Sequence, residues 1–215
     1  MLVRRLIKST SGASAAEFGL VLPLFMVLLF AVIDGGRFMW ESNEAEKATQ
    51  IGARIAIVTD VLSPGLRDED YAGKTVGGTT LKAGDLIPAA ALGSILCTNT
   101  GCVCESGTCP TSLGTMNATA FDAIVTRMKQ MYPSIANTNV QVRYRGSGFG
   151  IAEASAGGGG GGGGATEQME ISPLITVTLT GVQFRPLTTF ALKSVNMPDF
   201  STTLTAEDAS GTYSN

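Results

Sequence analysis

The chain has 215 residues, 44% of them apolar, which is enough for one domain of ordinary size with an appended segment. Only 15% of the residues are charged and the formal net charge is −3, so the sequence lacks the basic composition of nucleic-acid-binding proteins and predicts no nucleic-acid partner. It contains no histidine, which excludes Ser/His/Asp and Cys/His catalytic triads and histidine-ligated metal sites.

The N-terminus is basic and is followed by an apolar run. The first twelve residues contain no acidic residue and three basic ones, Arg4, Arg5 and Lys8. A positive flank of this kind predicts a cytoplasmic N-terminus. Residues 18–33 carry no charge, and counting from Ala13 gives 21 residues, about 32 Å of helix against a hydrocarbon core of about 30 Å. The sequence therefore predicts one membrane-spanning helix, provided that Glu17 is tolerated within the membrane or at its edge.

A cleaved signal peptide would show the same basic start and apolar core, so the residues after the core decide between the two. A signal peptide ends in a site of small residues of the A-x-A kind, and its core is usually about 7 to 15 residues long. Here residues 32–37 read VIDGGR, and the apolar run is longer. The sequence favours a retained anchor, with most of the chain outside the cytoplasm.

The helical pattern continues beyond the apolar run. Small and apolar residues recur there at helical spacing: Ala45, Ala48, Gly52, Ile55, Ala56, Thr59 and Leu62. We therefore expect one helix from Ala13 to Leu62, ending before the Ser-Pro-Gly sequence at 63–65.

Two further features of this helix concern its membrane half. Pro23 is expected to bend the helix, since spanning helices tolerate proline. At the outer end, Asp34 and Arg37 are spaced i, i+3 and are expected to face each other. Phe38 and Trp40 suit the aromatic belt of the membrane interface.

Four cysteines cluster in residues 97–109, CTNTGCVCESGTC, at Cys97, Cys102, Cys104 and Cys109. The Gly/Thr/Ser-rich surroundings predict a loop held by two disulfides in an oxidising compartment, and the sequence leaves all three pairings open. Structural zinc sites usually present two cysteine pairs separated by a dozen or more residues. A single residue, Val103, separates the two pairs here, so disulfides are favoured over zinc.

The rest of the outer segment predicts a mixed domain. Residues 117–132 predict a helix capped by Asn117, with an apolar side formed by Phe121, Ile124, Val125, Met128 and Met131. Alternation of apolar and polar residues predicts antiparallel strands at 139–146, 174–180 and 201–206. The expected fold class is α+β, with a small antiparallel sheet packed against the outer half of the long helix.

Between the first two of these strands, residues 146–165 are rich in glycine and include eight consecutive glycines, Gly157 to Gly164. A phosphate-binding loop would continue with Gly-Lys-Ser/Thr and a helix, whereas Ala-Thr-Glu follows here. The segment is predicted to be a flexible hairpin loop rather than a nucleotide site.

The first sixty residues resemble a known family. The segments SGASAAEFGLVLPLFMVLLFAVIDGGR and NEAEKATQIGARIA are similar to the TadE-type pseudopilins of tight-adherence (Flp) pili. That family's pattern is a glycine, four residues, Glu-Phe, an apolar stretch with LP, a GR and a GAR-x-A segment. The similarity covers residues 4–60, and a weaker similarity occurs near the C-terminus in ITVTLTGVQFRPLTTF and TLTA. It implies a pilin-like fold, in which a long N-terminal helix carries a small sheet domain.

The resemblance implies roles for particular residues. Gly12 would be the last residue of a basic leader, residues 1–12, and Ala13 the first residue of the mature chain. Prepilin peptidase, an aspartate protease of the inner membrane, would cut between them. Glu17, which precedes Phe18, would become the fifth mature residue. A carboxylate in hydrocarbon is costly unless it gains a partner, which the resemblance implies to be the α-amino group of a neighbouring subunit's Ala13.

The resemblance also implies a structural role in pilus assembly rather than an enzyme. The implied organisation is the leader 1–12, a transmembrane and stalk helix over 13–62, and a head over 63–215. The chain would cross the bacterial inner membrane once, with a cytoplasmic N-terminus and a periplasmic or extracellular head. The implied partners are prepilin peptidase, other pilins or pseudopilins, the inner-membrane assembly platform and the lipid bilayer, with no metal or cofactor.

The alternative is a signal-anchored envelope protein that keeps its N-terminal helix and carries an enzymatic or binding outer domain. Carboxylates suitable for acid/base chemistry occur at Asp68, Glu69 and Asp70. Three in a row in a polar turn are more typical of a solvated surface, and no nucleophile-and-base pattern accompanies them.

Overall fold

The computed structural model describes residues 12–153, 169–187 and 193–206. The chain divides into two compact units, Met1–Ser42 with Gln183–Met197 and Asn43–Val182 with Pro198–Asn215. The helices are α1 (Ala13–Ala56), α2 (Pro64–Arg67) and α3 (Ala118–Met131). The strands are β1 (Thr75–Val76), β2 (Thr79–Thr80), β3 (Ser94–Thr98), β4 (Gly101–Ser106), β5 (Val140–Arg145), β6 (Leu174–Leu179), β7 (Gln183–Phe184), β8 (Val195–Asn196) and β9 (Phe200–Thr205). A long N-terminal apolar helix with a small antiparallel sheet domain makes the fold α+β, as the sequence predicts.

Helix α1 begins at Ala13 and ends at Ala56, six residues before the predicted end at Leu62. Pro23 lies inside it without ending it. The residues after Ala56 find other partners: the Thr59 hydroxyl donates to the Ile55 carbonyl oxygen at 2.7 Å, and the Leu62 amide donates to the Tyr144 hydroxyl at 3.2 Å. A local hydrogen bond at Thr59 and a tertiary one at Leu62 therefore take the place of helical hydrogen bonds in this segment.

The second unit contains a five-stranded sheet with the strand order β4-β3-β5-β6-β9, in which every neighbouring pair is antiparallel. Its central strands alternate as predicted, with these side chains buried on one face: Val140, Val142, Tyr144, Ile175, Val177 and Leu179. The three strands predicted from alternation are confirmed as β5, β6 and β9. Strands β3 and β4 were not predicted, because the cysteine-rich sequence was interpreted as a loop.

The cysteine-rich segment is a β-hairpin. Cys97 on β3 lies opposite Cys102 on β4 and is bonded to it, with 4.0 Å between their Cα atoms. The second disulfide joins Cys104 to Cys109, just beyond the end of β4. Of the three pairings that the sequence leaves open, the structure has Cys97–Cys102 with Cys104–Cys109, each with a sequence separation of five.

Small side chains let the outer half of α1 approach the sheet and α3 closely. Four alanines there, Ala45, Ala48, Ala53 and Ala56, are at most 2% exposed. A Cβ placed on Gly52 would lie 2.8 Å from Met128 Sδ and 3.1 Å from Val177 Cγ1, so only glycine fits without movement. The Thr49 and Thr202 hydroxyls, 3.0 Å apart, are hydrogen-bonded across the same contact between α1 and β9.

Helix α3 matches its prediction at the start and departs from it at the end. The Asn117 side chain caps it by accepting the Ala120 amide at 3.1 Å. The predicted apolar side is buried at Phe121, Ile124, Val125 and Met128, whereas Met131 is 40% exposed. Met131 is the last helical residue, so the packed side does not extend to it.

The described part of the predicted hairpin loop, residues 146–153, is held to its surroundings. Gly150 bridges to Ile171, and Ile151 bridges to Leu86. The glycine run at 157–164 lies outside the described residues.

Candidate processing and assembly site

The predicted cleavage junction lies where α1 begins. Gly12 is exposed, and a Cβ placed on it would meet nothing within 4 Å. Ala13, on the other side of the junction, is the first residue of α1. Within the part of the chain that the structure describes, no side chain packs onto Gly12.

Glu17 follows one helical turn later and is exposed, as is Phe18, whose side chain is 66% exposed. Residues 13–33 contain no lysine or arginine, so no side chain of this segment can neutralise the Glu17 carboxylate. The carboxylate therefore depends on water, on lipid headgroups or on a group from outside this segment.

The helix after Glu17 is apolar on all sides. Thirteen large apolar side chains between Phe18 and Ile33 are between 38% and 79% exposed. By length and composition α1 is able to cross a membrane. It is compatible with a single-pass membrane anchor, since apolar side chains on every face suit hydrocarbon better than water.

At the outer end of this run, Asp34 and Arg37 face each other as predicted, with 3.5 Å between Asp34 Oδ1 and Arg37 Nη1. Asp34 is only 7% exposed and also accepts the Leu187 amide at 2.7 Å. Arg37 reaches Glu41 at 3.4 Å and lies over the Phe184 ring, 5.5 Å from its centroid. Two of the partners of this acid–base pair thus come from a hairpin that the sequence did not predict.

That hairpin consists of β7 and β8, paired at Gln183 with Asn196 and at Phe184 with Val195. Phe184 is buried, and its ring meets Phe38 edge-on at 5.4 Å between centroids. Two-residue strands carry almost no periodic signal, which explains why sequence reasoning missed them. The only sequence signal is the pair of apolar residues, Phe184 and Val195, that flank the connection.

The carboxylates proposed for the enzymatic alternative have local structural partners. Asp68 pairs with Arg67 at 2.8 Å, Glu69 pairs with Lys74, and Asp70 Oδ1 accepts the Ala72 amide at 2.9 Å. Each of these three contacts joins a carboxylate to a residue within five positions of it in the sequence.

Glu170 approaches the same turn from a distant part of the chain. Its Oε2 accepts the Tyr71 amide at 2.9 Å. Burial raises the pKa of the Glu170 carboxyl and lowers the pKa of the nearby Lys74 amine. Burial also raises the pKa of the Tyr71 hydroxyl, which has no hydrogen-bond partner among the residues that the structure describes. Unfavourable burial of polar groups is thus concentrated around Tyr71.

A second carboxylate, Glu105 on β4, has the opposite environment. It accepts from Arg143 Nε at 2.8 Å and from the Ser94 hydroxyl at 2.8 Å. The hydrogen bonds from Arg143 lower the pKa of the Glu105 carboxyl, with the Ser94 hydroxyl adding to the effect. Glu105 and Arg143 lie on either side of β3, so the pair links the outermost strand to β5.

Comparison with known protein families gives a match near the N-terminus of the chain. The model of the family described as TadE-like protein matches residues 12–54. This N-terminal segment is TadE-like. The TadE-like segment begins at Gly12, contains Glu17 and Phe18, and ends two residues before the end of α1. The match relates this segment of the chain to TadE-like proteins.

The match covers 43 of the 215 residues, and no curated protein or solved structure matches the chain. Beyond the TadE-like segment, the disulfide hairpin, the sheet and the β7–β8 hairpin are described from this structure alone. Gly12 and Glu17 lie within the matched segment, whereas the four cysteines lie outside it.

Proposed function

We propose that the chain is a pseudopilin or minor pilin that acts in the assembly of a tight-adherence pilus. It is inserted in the inner membrane through α1, with its N-terminus in the cytoplasm and its outer domain in the periplasm or beyond. The observation that supports this function best is the family match over residues 12–54, which starts at Gly12 and runs along α1. An exposed helix that is apolar on every face at the same place suits insertion in hydrocarbon.

Processing is the first step of the proposed mechanism. Prepilin peptidase removes residues 1–12 by cleaving between Gly12 and Ala13, where the backbone is open. The cut removes three positive charges, so the formal net charge changes from −3 to −6 before the termini are counted. The mature chain then begins with a free amine at the first residue of α1.

Assembly is the second step. The apolar part of α1 packs against the helices of other pilins, first in lipid and then in the growing structure, which is held at the inner-membrane assembly platform. Glu17 lacks a cation in its own segment, so an α-amino group of a neighbouring subunit supplies the missing charge. The pairing sets the register between neighbouring helices.

Intact-mass measurement tests the processing step. In a host that has the peptidase, the membrane-extracted protein should lack residues 1–12, and Gly12→Leu should retain them because a side chain obstructs the junction. Gly19→Leu is the matched control, since Gly19 also has nothing within 4 Å of its Cβ position but lies outside the junction. An intact N-terminus in the wild-type protein would favour the signal-anchored envelope protein instead.

The register role of Glu17 has its own test. Glu17→Gln keeps the shape of the side chain and removes its charge, so membrane insertion should persist while pilus formation falls. Glu46→Gln, at another exposed glutamate of α1, should leave pilus formation unchanged. Wild-type piliation in the Glu17 variant would remove the proposed role of this carboxylate.

A further inference from the structure

The hairpin β7–β8 contacts α1 along a short and ordered path. Phe184 meets Phe38, the Arg185 carbonyl oxygen accepts from Arg37 Nη1 at 3.5 Å, and the Leu187 amide donates to Asp34. As the hairpin residue number rises from 184 to 187, its partner on the helix falls from 38 to 34. The strand therefore runs antiparallel to α1 and leads toward the apolar run.

The level that the hairpin reaches is fixed by Asp34. Asp34 directly follows Ile33, the last residue of the uncharged run, so the Leu187 amide lies 2.7 Å from a side chain at the boundary of the span. Phe38 lies about 6 Å higher along the helix axis, at 1.5 Å per residue. In a membrane-inserted chain, Leu187 is thus at the depth where hydrocarbon gives way to headgroups.

The hairpin exposes both apolar and basic side chains, a combination that suits the boundary between hydrocarbon and headgroups. Leu187 is 54% exposed and Val195 is 45% exposed. Arg185 and Lys193 are also exposed, and the described residues 183–187 and 193–197 contain no acidic residue. The chain as a whole has a formal net charge of −3, whereas these described hairpin residues carry only positive charges beside exposed apolar side chains.

We propose that the two described arms of the hairpin, 183–187 and 193–197, form a lipid-binding element that lies on the outer phospholipid surface beside α1. Leu187 enters the interface, while Arg185 and Lys193 pair with the phosphates of anionic headgroups. The buried Asp34 anchors the element by holding the Leu187 amide, so the hairpin meets the lipid at a fixed depth. This inference rests on the single-pass anchoring of α1 and not on pilus assembly.

A phospholipid surface is favoured over a protein partner because the hairpin lies next to the end of the apolar run of α1. The exposed Leu187, whose amide is held by Asp34, adjoins the level of residues 32 and 33, which are 69% and 41% exposed on the helix and belong to the span itself. A protein partner at this position would have to displace the lipid that surrounds the span. The two cations match the negative surface of a phospholipid membrane.

Fluorescence quenching by brominated lipids tests the proposal on the full chain in vesicles. Trp40 is the only tryptophan in the sequence, so Trp40→Phe gives a silent background into which Leu187→Trp places one probe. The matched control is Gln183→Trp in the same background, at an exposed position four residues earlier on the same hairpin and farther from the apolar run. Far-UV circular dichroism of each variant verifies that α1 is retained.

The expected result is a strong loss of fluorescence from the probe at position 187 when the bromines lie near the headgroup end of the acyl chains. Weaker loss is expected for the probe at position 183, because it lies above the interface. Equal quenching at the two positions, or none at either, would overturn the proposal. An unquenched but blue-shifted probe at position 187 would also overturn it, in favour of a second copy or another protein covering the hairpin.

The charge component is tested by adding Arg185→Glu and Lys193→Glu to the variant that carries the probe at position 187. In vesicles of phosphatidylcholine and phosphatidylglycerol, the charge reversal should reduce the quenching of this probe. In phosphatidylcholine alone it should change the quenching little. A reduction of the same size in both vesicles would contradict a role for anionic headgroups. These vesicles contain no peptidase and no pilin, so the outcome is separate from the processing and piliation assays.

Discussion

From Phe18 to Ile33, α1 presents large apolar side chains that are exposed, whereas from Ala45 to Ala56 it presents small side chains that are buried. Among the residues that the structure describes, none covers the apolar surface of the first stretch, and hydrocarbon suits such a surface better than water. The second stretch is buried against a sheet and a helix, and its small residues let their backbones come close. One helix thus carries large apolar side chains where it suits lipid and small side chains where it packs against protein.

The largest expected effect comes from a charge placed in the exposed apolar stretch of α1, residues 18–33. Leu24→Arg places a charge on a 72%-exposed side chain within the apolar run, which should cost about 2.5 to 3.5 kcal/mol of insertion free energy. Gln50→Arg is the control, at an exposed position of the outer half. Alkaline extraction of membranes should release much more of the first variant than of the second. Equal release would contradict a membrane environment for Leu24.

The next largest effect comes from overpacking the buried stretch of α1, residues 45–56. Gly52→Leu adds a side chain where Met128 and Val177 leave no room, so overpacking should lower the free energy of unfolding by about 1 to 3 kcal/mol. Gly36→Leu, on the same helix but with nothing within 4 Å, should not be destabilised. Thermal unfolding of the detergent-solubilised chain measures both. Equal melting temperatures would show that the contact at Gly52 is not tight.

The two disulfides lie in the second unit, so removing them should destabilise that unit and leave the apolar run of α1 unchanged. Each closes a sequence separation of five, so removing either by paired Cys→Ala changes should cost about 2 kcal/mol of unfolding free energy. Loss of Cys97–Cys102 should cost more, because the Cys97 side chain is fully buried and leaves a cavity. Denaturant unfolding ranks the two variants. The opposite order would locate the important crosslink at Cys104–Cys109, and membrane extraction should be unchanged in both.

The smallest effect concerns pH. Burial raises the pKa of Glu170, so its stabilising contribution is full below the ordinary glutamate pKa of about 4.3 and is lost as the pH rises through the raised pKa. Glu170→Gln still offers an oxygen to the Tyr71 amide and removes that loss. The melting temperature of the variant minus that of the wild type should therefore increase between about pH 4 and about pH 7.

Glu105→Gln is the matched control for this pH dependence. Hydrogen bonds from Arg143 lower the pKa of Glu105, so its contribution is present above the ordinary pKa and is lost as the pH falls. The difference in melting temperature should then decrease with rising pH, and only slightly, since Glu105 is 41% exposed. A difference that does not change with pH would contradict the pKa shift of the carboxyl replaced in that variant.

Periodicity explains which parts of the fold the sequence predicts. The alternation of Val140, Val142 and Tyr144 and the helical spacing of Phe121 and Ile124 are strong local signals, and both elements form where expected. The segment SILCT lacks alternation and lies beside Gly and Thr, so β3 resembled a loop. Its strand conformation is imposed by neighbours on both sides, β4 and β5, which a local pattern does not record.

The same distinction applies to the candidate site. The spacing of Gly12 and Glu17 and that of Asp34 and Arg37 are local along the sequence, and the second pair meets as expected. The contact of Asp34 with Leu187 joins residues 153 positions apart, so no sequence pattern predicts it. The burial of the Tyr71 hydroxyl without a hydrogen-bond partner among the described residues is likewise a tertiary effect.

The disulfide hairpin has a further consequence for chains crowded together at one membrane. Strand β4 is the outermost strand of its sheet, and an outermost strand offers unpaired amides and carbonyls to any neighbour able to add a strand. The Cys97–Cys102 crosslink joins β3 to β4 and keeps β4 from slipping along β3, while Cys104–Cys109 ties β4 to the segment that follows it. Oxidation of the cysteines thus fixes the register of the outermost strand, and reduction would leave that register to backbone pairing alone.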